Sequence, residues 1–132
     1  MTTEQATKQN VLLLDDDKFL ADMYAVKFSS EGFNVEAHLQ VKDAIQALEG
    51  GFPADAIVFD IVMQNGDGFH FLQELTERKL AARALKIALT NQSNDDDKRR
   101  AQSLGADLYL VKASLVPSEV VETVREALAK RK

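Results

Sequence analysis

Three features of this 132-residue chain predict an α/β sandwich built on a parallel sheet. Short strand candidates, most of them apolar, recur at residues 11–14, 33–38, 56–59, 85–90 and 108–111. Helical stretches with apolar residues three or four apart fill the intervals, and glycine or proline marks most of the junctions. Each unit holds one strand and one crossover helix. Short, nearly all-apolar strands alternating with helices imply a parallel sheet covered on both faces, with right-handed crossovers.

The elements follow in order. Residues 1–10 are a polar lead-in without an apolar core and so not a signal peptide; 130–132 are a basic tail, which leaves 11–129 as one domain. The first run ends abruptly in Asp15, Asp16 and Asp17. Asp17 suits a cap for a helix whose broad apolar face is formed by Phe19, Met23 and Val26, flanked by Leu20, Tyr24 and Phe28, with Gly32 closing it. The run 33–38 leads to a second helix carrying Val41, Ala44, Ile45 and Leu48, closed by Gly50 and Gly51 with Pro53. Phe59 ends the buried part of the third run, so Asp60 is expected at its rim. A third helix carries Phe69, Leu72 and Leu75, with Phe69 and Phe71 as core and boundary packing. The fourth run ends at Thr90.

The fourth helix, around 95–104, is the weakest, with only Ala101 and Leu104 clearly apolar, and is expected to be the most exposed and mobile. Ser93 or Asn94 can cap it, three aspartates in its first turn suit the helix dipole, and Lys98, Arg99 and Arg100 follow at pairing distance. Gly105 closes it. The fifth run leads into Lys112, and Val116, Pro117 and Glu119 open a last helix bearing Val120, Val121, Val124 and Leu128.

Composition narrows the classes of function. The absence of cysteine excludes a disulfide scaffold, a cysteine nucleophile and a thiolate zinc site. With 21 acidic against 16 basic residues the formal charge is -5, which argues against a broad basic surface for nucleic acid. No apolar run is long enough to span a membrane. The expectation is a soluble, cytoplasmic protein with no membrane or direct nucleic-acid partner.

Open parallel sheets bind ligands beyond the carboxyl ends of their strands, where the strand order reverses. Asp15, Asp16, Asp60, Thr90 and Lys112 are the polar residues at the ends of the first, third, fourth and fifth runs. If those strands are neighbours, the five groups converge. Three close carboxylates repel, and the usual outcomes are a raised pKa or a bound cation. Oxygen ligands without His or Cys suit Mg²⁺. A carboxylate nucleophile beside Mg²⁺, a lysine and a hydroxyl is the set that phosphoryl transfer to aspartate requires. Each residue alone has a plainer reading, as a helix cap, a strand end or solvated surface. The joint placement carries the inference. His38 and His70 are expected to lie far from it.

The chain resembles the receiver domain of two-component response regulators, the single-domain chemotaxis type included, from Val11 to Leu128. The run 11–17 resembles the family's first strand and acidic cluster, 60–68 its phospho-acceptor loop, 88–90 its switch strand and 105–112 its fifth-strand motif. The resemblance implies a flavodoxin-like receiver fold with a five-stranded parallel sheet in the order 2-1-3-4-5 and five helices. It implies Asp60 as phospho-acceptor, Asp15, Asp16, Asp60 and the Val62 carbonyl as ligands of Mg²⁺, Thr90 as the phosphate-sensing hydroxyl, Lys112 as the phosphate partner and Tyr109 as the switch aromatic. As a plain structural residue, Tyr109 would instead stand at the sheet edge with its hydroxyl in water. The implied partners are a sensor histidine kinase or phosphotransfer protein and a downstream protein that reads helix 4, strand 5 and helix 5. The implied oligomeric state is a monomer or a phosphorylation-dependent dimer. On this reading the chain catalyses its own phosphorylation and dephosphorylation, and its output comes from a partner or from something outside this chain.

Three departures from the family pattern matter. Gln64 stands where proline is usual after the acceptor. Asn91 and Gln92 stand beside the phosphate site, with Val62, at positions that tune access and hydrolysis. Ala113 replaces a proline that normally follows the lysine in a cis bond; a cis bond here costs about 2.5–4 kcal/mol, so either Lys112–Ala113 is trans with a re-routed loop or it is strained, and the cost tilts the expectation to trans. Ala113 and Asn91 motivate the alternative of a phosphorylation-independent, receiver-like binding adaptor.

Overall fold

The computed structural model describes residues 8–63, 68–91 and 94–131. Gln64, Gln92 and Ser93, to which the sequence reading gave roles, lie outside the described residues. Five strands, β1 (Asn10–Leu14), β2 (Asn34–His38), β3 (Ala56–Asp60), β4 (Leu85–Thr90) and β5 (Leu108–Val111), alternate with α1 (Lys18–Ser30), α2 (Val41–Glu49), α3 (Gly68–Arg78), α4 (Asp95–Ser103) and α5 (Pro117–Lys130). The sheet is parallel throughout, in the order β2-β1-β3-β4-β5. This is the flavodoxin-like receiver fold that the sequence implied.

The all-apolar strands are explained by two cores, one on each face. Side chains alternate along a strand, so Leu12 and Leu14 enter one core while Val11 and Leu13 enter the other. The first core is closed by α2, α3 and α4 through Ile45, Leu48, Phe71, Leu72 and Ala101, with Phe59 and Phe71 edge to face. The second is closed by α1 and α5 through Tyr24, Phe28, Val120, Val124 and Leu128. Full burial of each such aromatic or aliphatic side chain contributes roughly 1.5–3 kcal/mol, and β3 and β4 are buried along their whole length. Lys86, buried within β4, donates from Nζ to the carbonyls of Ala84 and Ala81, at 3.1 and 3.4 Å.

The caps match the sequence. Asp17 accepts from Leu20 N–H, Asn94 accepts from Asp97 N–H, and the Glu119 side chain accepts from Val116 N–H. As expected of α4, Ala101 is its one buried residue, and Arg99 pairs with Asp96 on the solvent side.

Helix α1 departs from the expectation. Phe19 and Val26 are 76% and 69% exposed, and the buried residues are Ala21, Tyr24 and Phe28. The helix has two apolar stripes, and the inner one is Ala21, Tyr24 and Phe28. Ala21 is small enough for close approach to the sheet, and Phe28 meets Phe33 edge to face.

The Lys112–Ala113 bond is trans. The chain leaves β5 through a 3₁₀ turn, Lys112–Ser114, closed by Leu115 N–H donating to the Lys112 carbonyl at 3.2 Å, and Val116 then opens α5. That turn is the re-routed loop the missing proline permits.

Candidate functional site

Because β1, β3 and β4 are adjacent, their carboxyl ends bring the acids together at one edge of the sheet. Carboxylate oxygens of Asp15, Asp16 and Asp60 lie within 4.8 Å of one another. Lys112, carried to them by the turn after β5, donates from Nζ to Asp15 Oδ2 at 2.8 Å and to Asp60 Oδ2 at 3.2 Å. The remaining oxygens are used locally: Asp15 Oδ1 accepts from Asp17 N–H at 2.9 Å, and Asp60 Oδ1 accepts from Val62 N–H at 3.1 Å. Asp60 is the last residue of β3 and only 5% exposed, so it stands inside the rim and not on it as expected. Pairing of β3 with Leu89 of β4 and coverage by Lys112 hold it there.

The cluster of Asp15, Asp16 and Asp60 with the Lys112 ammonium carries a formal charge of -2 and sits in a cleft of about 330 Å³. Asp17, Leu20, Val62, Met63 and Asn91 complete its walls. Burial pushes the Asp60 carboxyl above the ordinary range; Lys112 and the Val62 N–H pull it back, and Asp15 adds to the rise. For Lys112, burial pulls downward, yet its hydrogen bonds and the charges of Asp15 and Asp60 outweigh that, and the net direction is up. The donor set is all oxygen and its charge deficit matches a divalent ion, so the residues fit a hard cation of the Mg²⁺ kind.

Thr90 ends β4 and is 3% exposed; Asn91, the next residue, is the one that lines the cleft. Tyr109 lies across the sheet from the acids, on the side of α4. Its hydroxyl is buried and makes no hydrogen bond of normal geometry among the described residues, which departs from the plain structural alternative of a wet sheet-edge phenol. Burial, with Asp97 and Asp95, pushes its pKa up, while Thr90 and the Asn94 backbone stand beside it and oppose the rise. An unsatisfied buried hydroxyl costs about 1–3 kcal/mol. Tyr109→Phe is therefore expected to leave stability unchanged or raise it by about 1 kcal/mol, read as the urea midpoint; a marked loss would mean that the hydroxyl has a partner.

Gly68 fixes the approach of α3 to the end of β3. Its N–H donates to the Ile61 carbonyl at 2.7 Å, and a Cβ there would stand 2.3 Å from the Asp60 carbonyl oxygen and 2.6 Å from Ile61 Cα. Both obstacles are backbone, so Gly68→Ala must displace either α3 or the end of β3 at Asp60. The expected cost is about 1–3 kcal/mol in chemical denaturation, with amide shifts concentrated at residues 60–62.

Several residues that the sequence reading did not assign to the site stand at it. Met63 and Leu20 line the cleft, and Tyr24, reaching under it from α1, feels the charges of Lys112, Asp15 and Asp60, its pKa raised mainly by burial. His38 is nearer than expected: its carbonyl accepts from Asp15 N–H at 3.1 Å, while its ring engages Glu36. His70 faces the α2–α3 groove, away from the acids.

The acidic cleft lies at the point where strand order reverses in a doubly wound parallel sheet, the place where such sheets bind ligands. The sequence profile of the response regulator receiver domain matches residues 11–125, and the chain belongs to that family. It is 32% identical over 120 residues to the regulatory protein VanRc of Enterococcus gallinarum, covering 91% of this chain and 50% of that protein. It is 31% identical over 123 residues to the response regulator SaeR of Staphylococcus aureus, covering 93% and 52%. The chain thus spans about half the length of these relatives. Among solved structures, a CheY-like receiver domain protein from Methanospirillum hungatei superposes with a TM-score of 0.84 at 22% identity over 94% of this chain and 96% of that one, a likeness of fold.

Proposed function

We propose that this chain is a phosphorylation-controlled switch in which Asp60 accepts a phosphoryl group from a histidine kinase or phosphotransfer protein. The observation that carries the reading is the single Lys112 ammonium shared by Asp15 and Asp60 in a buried cleft. In the transfer, an Asp60 carboxylate oxygen attacks phosphorus, the P–N bond to the donor imidazole breaks, and the electron pair returns to the imidazole nitrogen. The nucleophile is a carboxylate, so no general base is required. Lys112 would follow the developing charge on the phosphoryl oxygens, and the Val62 N–H would hold the second carboxylate oxygen in aim. When bound by Asp15, Asp16, Asp60 and the Val62 carbonyl, Mg²⁺ would screen the incoming phosphoryl group from these acids.

Thr90 and Tyr109 would report the event to the α4–β5–α5 face, which a downstream protein reads. The weak anchoring of α4 supports that role, since a switch needs two states within a few kcal/mol. We place the switch in the cytoplasm, as a monomer or a phosphorylation-dependent dimer through that face. The test is incubation with Mg²⁺ and either acetyl phosphate or beryllofluoride, followed by intact mass and amide spectra. Modification or mimic binding with shifts reaching Thr90 and Tyr109 is expected. A folded protein inert to both agents and to a histidine kinase would instead be a phosphorylation-independent adaptor.

A further inference from the structure

Strand β4 is buried from end to end, yet its second residue is a lysine. Side chains alternate along a strand, so Lys86 points to the same face as Ala88, the one covered by α3 and α4. It stands four residues, about 13 Å, before Thr90 and so at the end of the sheet opposite the acids. A cavity of about 210 Å³ opens there between the end of α3, the segment that follows it and the turn after α4. Leu75, Thr76, Lys79, Ala82, Lys86 and Gly105 line it. No carboxylate is among them, and the two lysines give the walls a formal charge of +2. The Lys86 ammonium has three N–H donors, of which the Ala84 and Ala81 carbonyls take two, at 3.1 and 3.4 Å. One donor is left for the cavity. Burial pushes the Lys86 pKa down; Asp107 opposes that, and Arg131 adds to it. Asp107 holds the Lys86 backbone N–H with a carboxylate oxygen at 2.8 Å and is not part of the cavity wall.

Lys79 sits in the left-handed region, at φ 54°, where the Leu80 N–H donates to the Leu75 carbonyl at 3.0 Å and ends α3. Glycine is the usual residue at such an exit. A lysine near a helix C-terminus has a plain reading in the helix dipole. A second lysine behind it, nine-tenths buried between Leu85 and Ile87, does not. We propose that this cavity is an anion site for a phosphate dianion, free or as the phosphomonoester of a small metabolite, held between the Lys79 and Lys86 ammonium groups. Charge selects the ligand, because two cations that face one cavity are neutralised by one dianion. Lysine binds phosphate oxygens as a point charge, without the planar fork that arginine brings to a carboxylate. Size excludes larger ligands, since drug-sized molecules take pockets of about 300 Å³ or more. The bound ion would tie the end of α3 to the turn after α4, alongside the Thr76 hydroxyl, which donates to the Leu104 carbonyl at 2.9 Å. The site uses no residue of the acidic cleft and stands apart from the reading of Asp60.

Inorganic phosphate titrated into the full chain at fixed ionic strength, with a chelator present to keep metal out of the acidic cleft, reads the site through calorimetry and amide spectra. Saturable binding with a dissociation constant of about 1 mM or tighter is expected, with the largest shifts at Thr76, Lys79, Lys86 and Gly105. Glycerol phosphate forms the second arm. Tighter binding than inorganic phosphate assigns the site to a phosphomonoester, and weaker binding assigns it to the free ion. Lys79→Gly, which the backbone there accepts, and Lys86→Met should each weaken binding at least about tenfold with the circular dichroism spectrum unchanged. If Lys86→Met unfolds, Lys79→Gly decides alone. Arg83→Gln, at the same end of the sheet but outside the cavity wall, should leave binding within about twofold. No saturation below about 20 mM, binding indifferent to Lys79→Gly, equal weakening by Arg83→Gln, or shifts centred on Asp60 and Val62 would each overturn the proposal.

Discussion

Asp60→Asn is expected to abolish phosphorylation completely and, in metal-free buffer at neutral pH, to make the protein more stable. The first effect follows because the amide oxygen is no nucleophile towards phosphorus. The second follows from the direction in which the Asp60 pKa moves. Burial is the largest influence and raises it; attraction to Lys112 and the Val62 N–H only partly offset that. A carboxyl whose folded pKa lies above its unfolded value near 3.8 contributes stability below that value and loses it as pH rises through the folded one. At pH 7 the ionised group therefore opposes folding. Asparagine removes the charge but keeps an oxygen for Lys112 and the Val62 N–H. Urea titrations with a chelator should show the variant ahead at pH 7 and the gap closing towards pH 3, while intact mass shows no modification. A variant less stable than wild type at pH 7 would mean that the Lys112 attraction outweighs burial.

Lys112→Met is expected to be the most damaging single change in the cleft. It removes the one cation that two nearly buried carboxylates share, with side-chain exposures of 7% for the lysine and 2% and 6% for its partners. Breaking a buried pair from one side costs about 3–5 kcal/mol, because the partners are left uncompensated. For a domain of this size that lowers the melting temperature by roughly 10–20 °C. Millimolar Mg²⁺ should restore part of the loss in the variant. Phosphorylation by a small donor should slow by about 10²–10³-fold, the usual effect of deleting one aimed charge. The alkaline limb gives a further check. The folded Lys112 pKa is raised, so its contribution is complete below about 10.5 and fades as pH climbs through the folded value. Wild type should lose this increment at high pH, and Lys112→Met should have none to lose. Equal stabilities at pH 7 would mean that the carboxylates already share a proton.

Much of this was legible in the residues. The parallel sheet covered on both faces follows from strands too short for helices and too apolar for a one-sided sheet; its order comes from the family resemblance, and with that order the cleft follows from the acids and lysine at the strand ends. What escaped did so for physical reasons. In α1 the triads Phe19, Met23, Val26 and Ala21, Tyr24, Phe28 are both apolar, and periodicity alone does not say which turns inward. The helix settles with small Ala21 against the sheet and Phe28 on Phe33. His38 comes next to Asp15 through the β1–β2 register, which pairs it with Leu14. The Lys112–Ala113 bond follows the energetic default once proline is absent. Gly68 did carry a signal, as a residue of poor helical propensity opening a helix, but only the distance to the Asp60 carbonyl explains it.

Asp60 ends a strand that is buried along its whole length and flanked by paired neighbours, whereas β2 and β5 are half-exposed edges. Free energies of opening differ accordingly: edges and lightly anchored helices breathe at little cost, and central strands exchange their amide protons only when the whole domain opens. The amides of β3 should outlast those of β5 and α4 in deuterium by orders of magnitude. Under the proposed function, the strand that would take the phosphoryl group is thus the slowest-opening part of the molecule, and the face that would change shape is among its quickest.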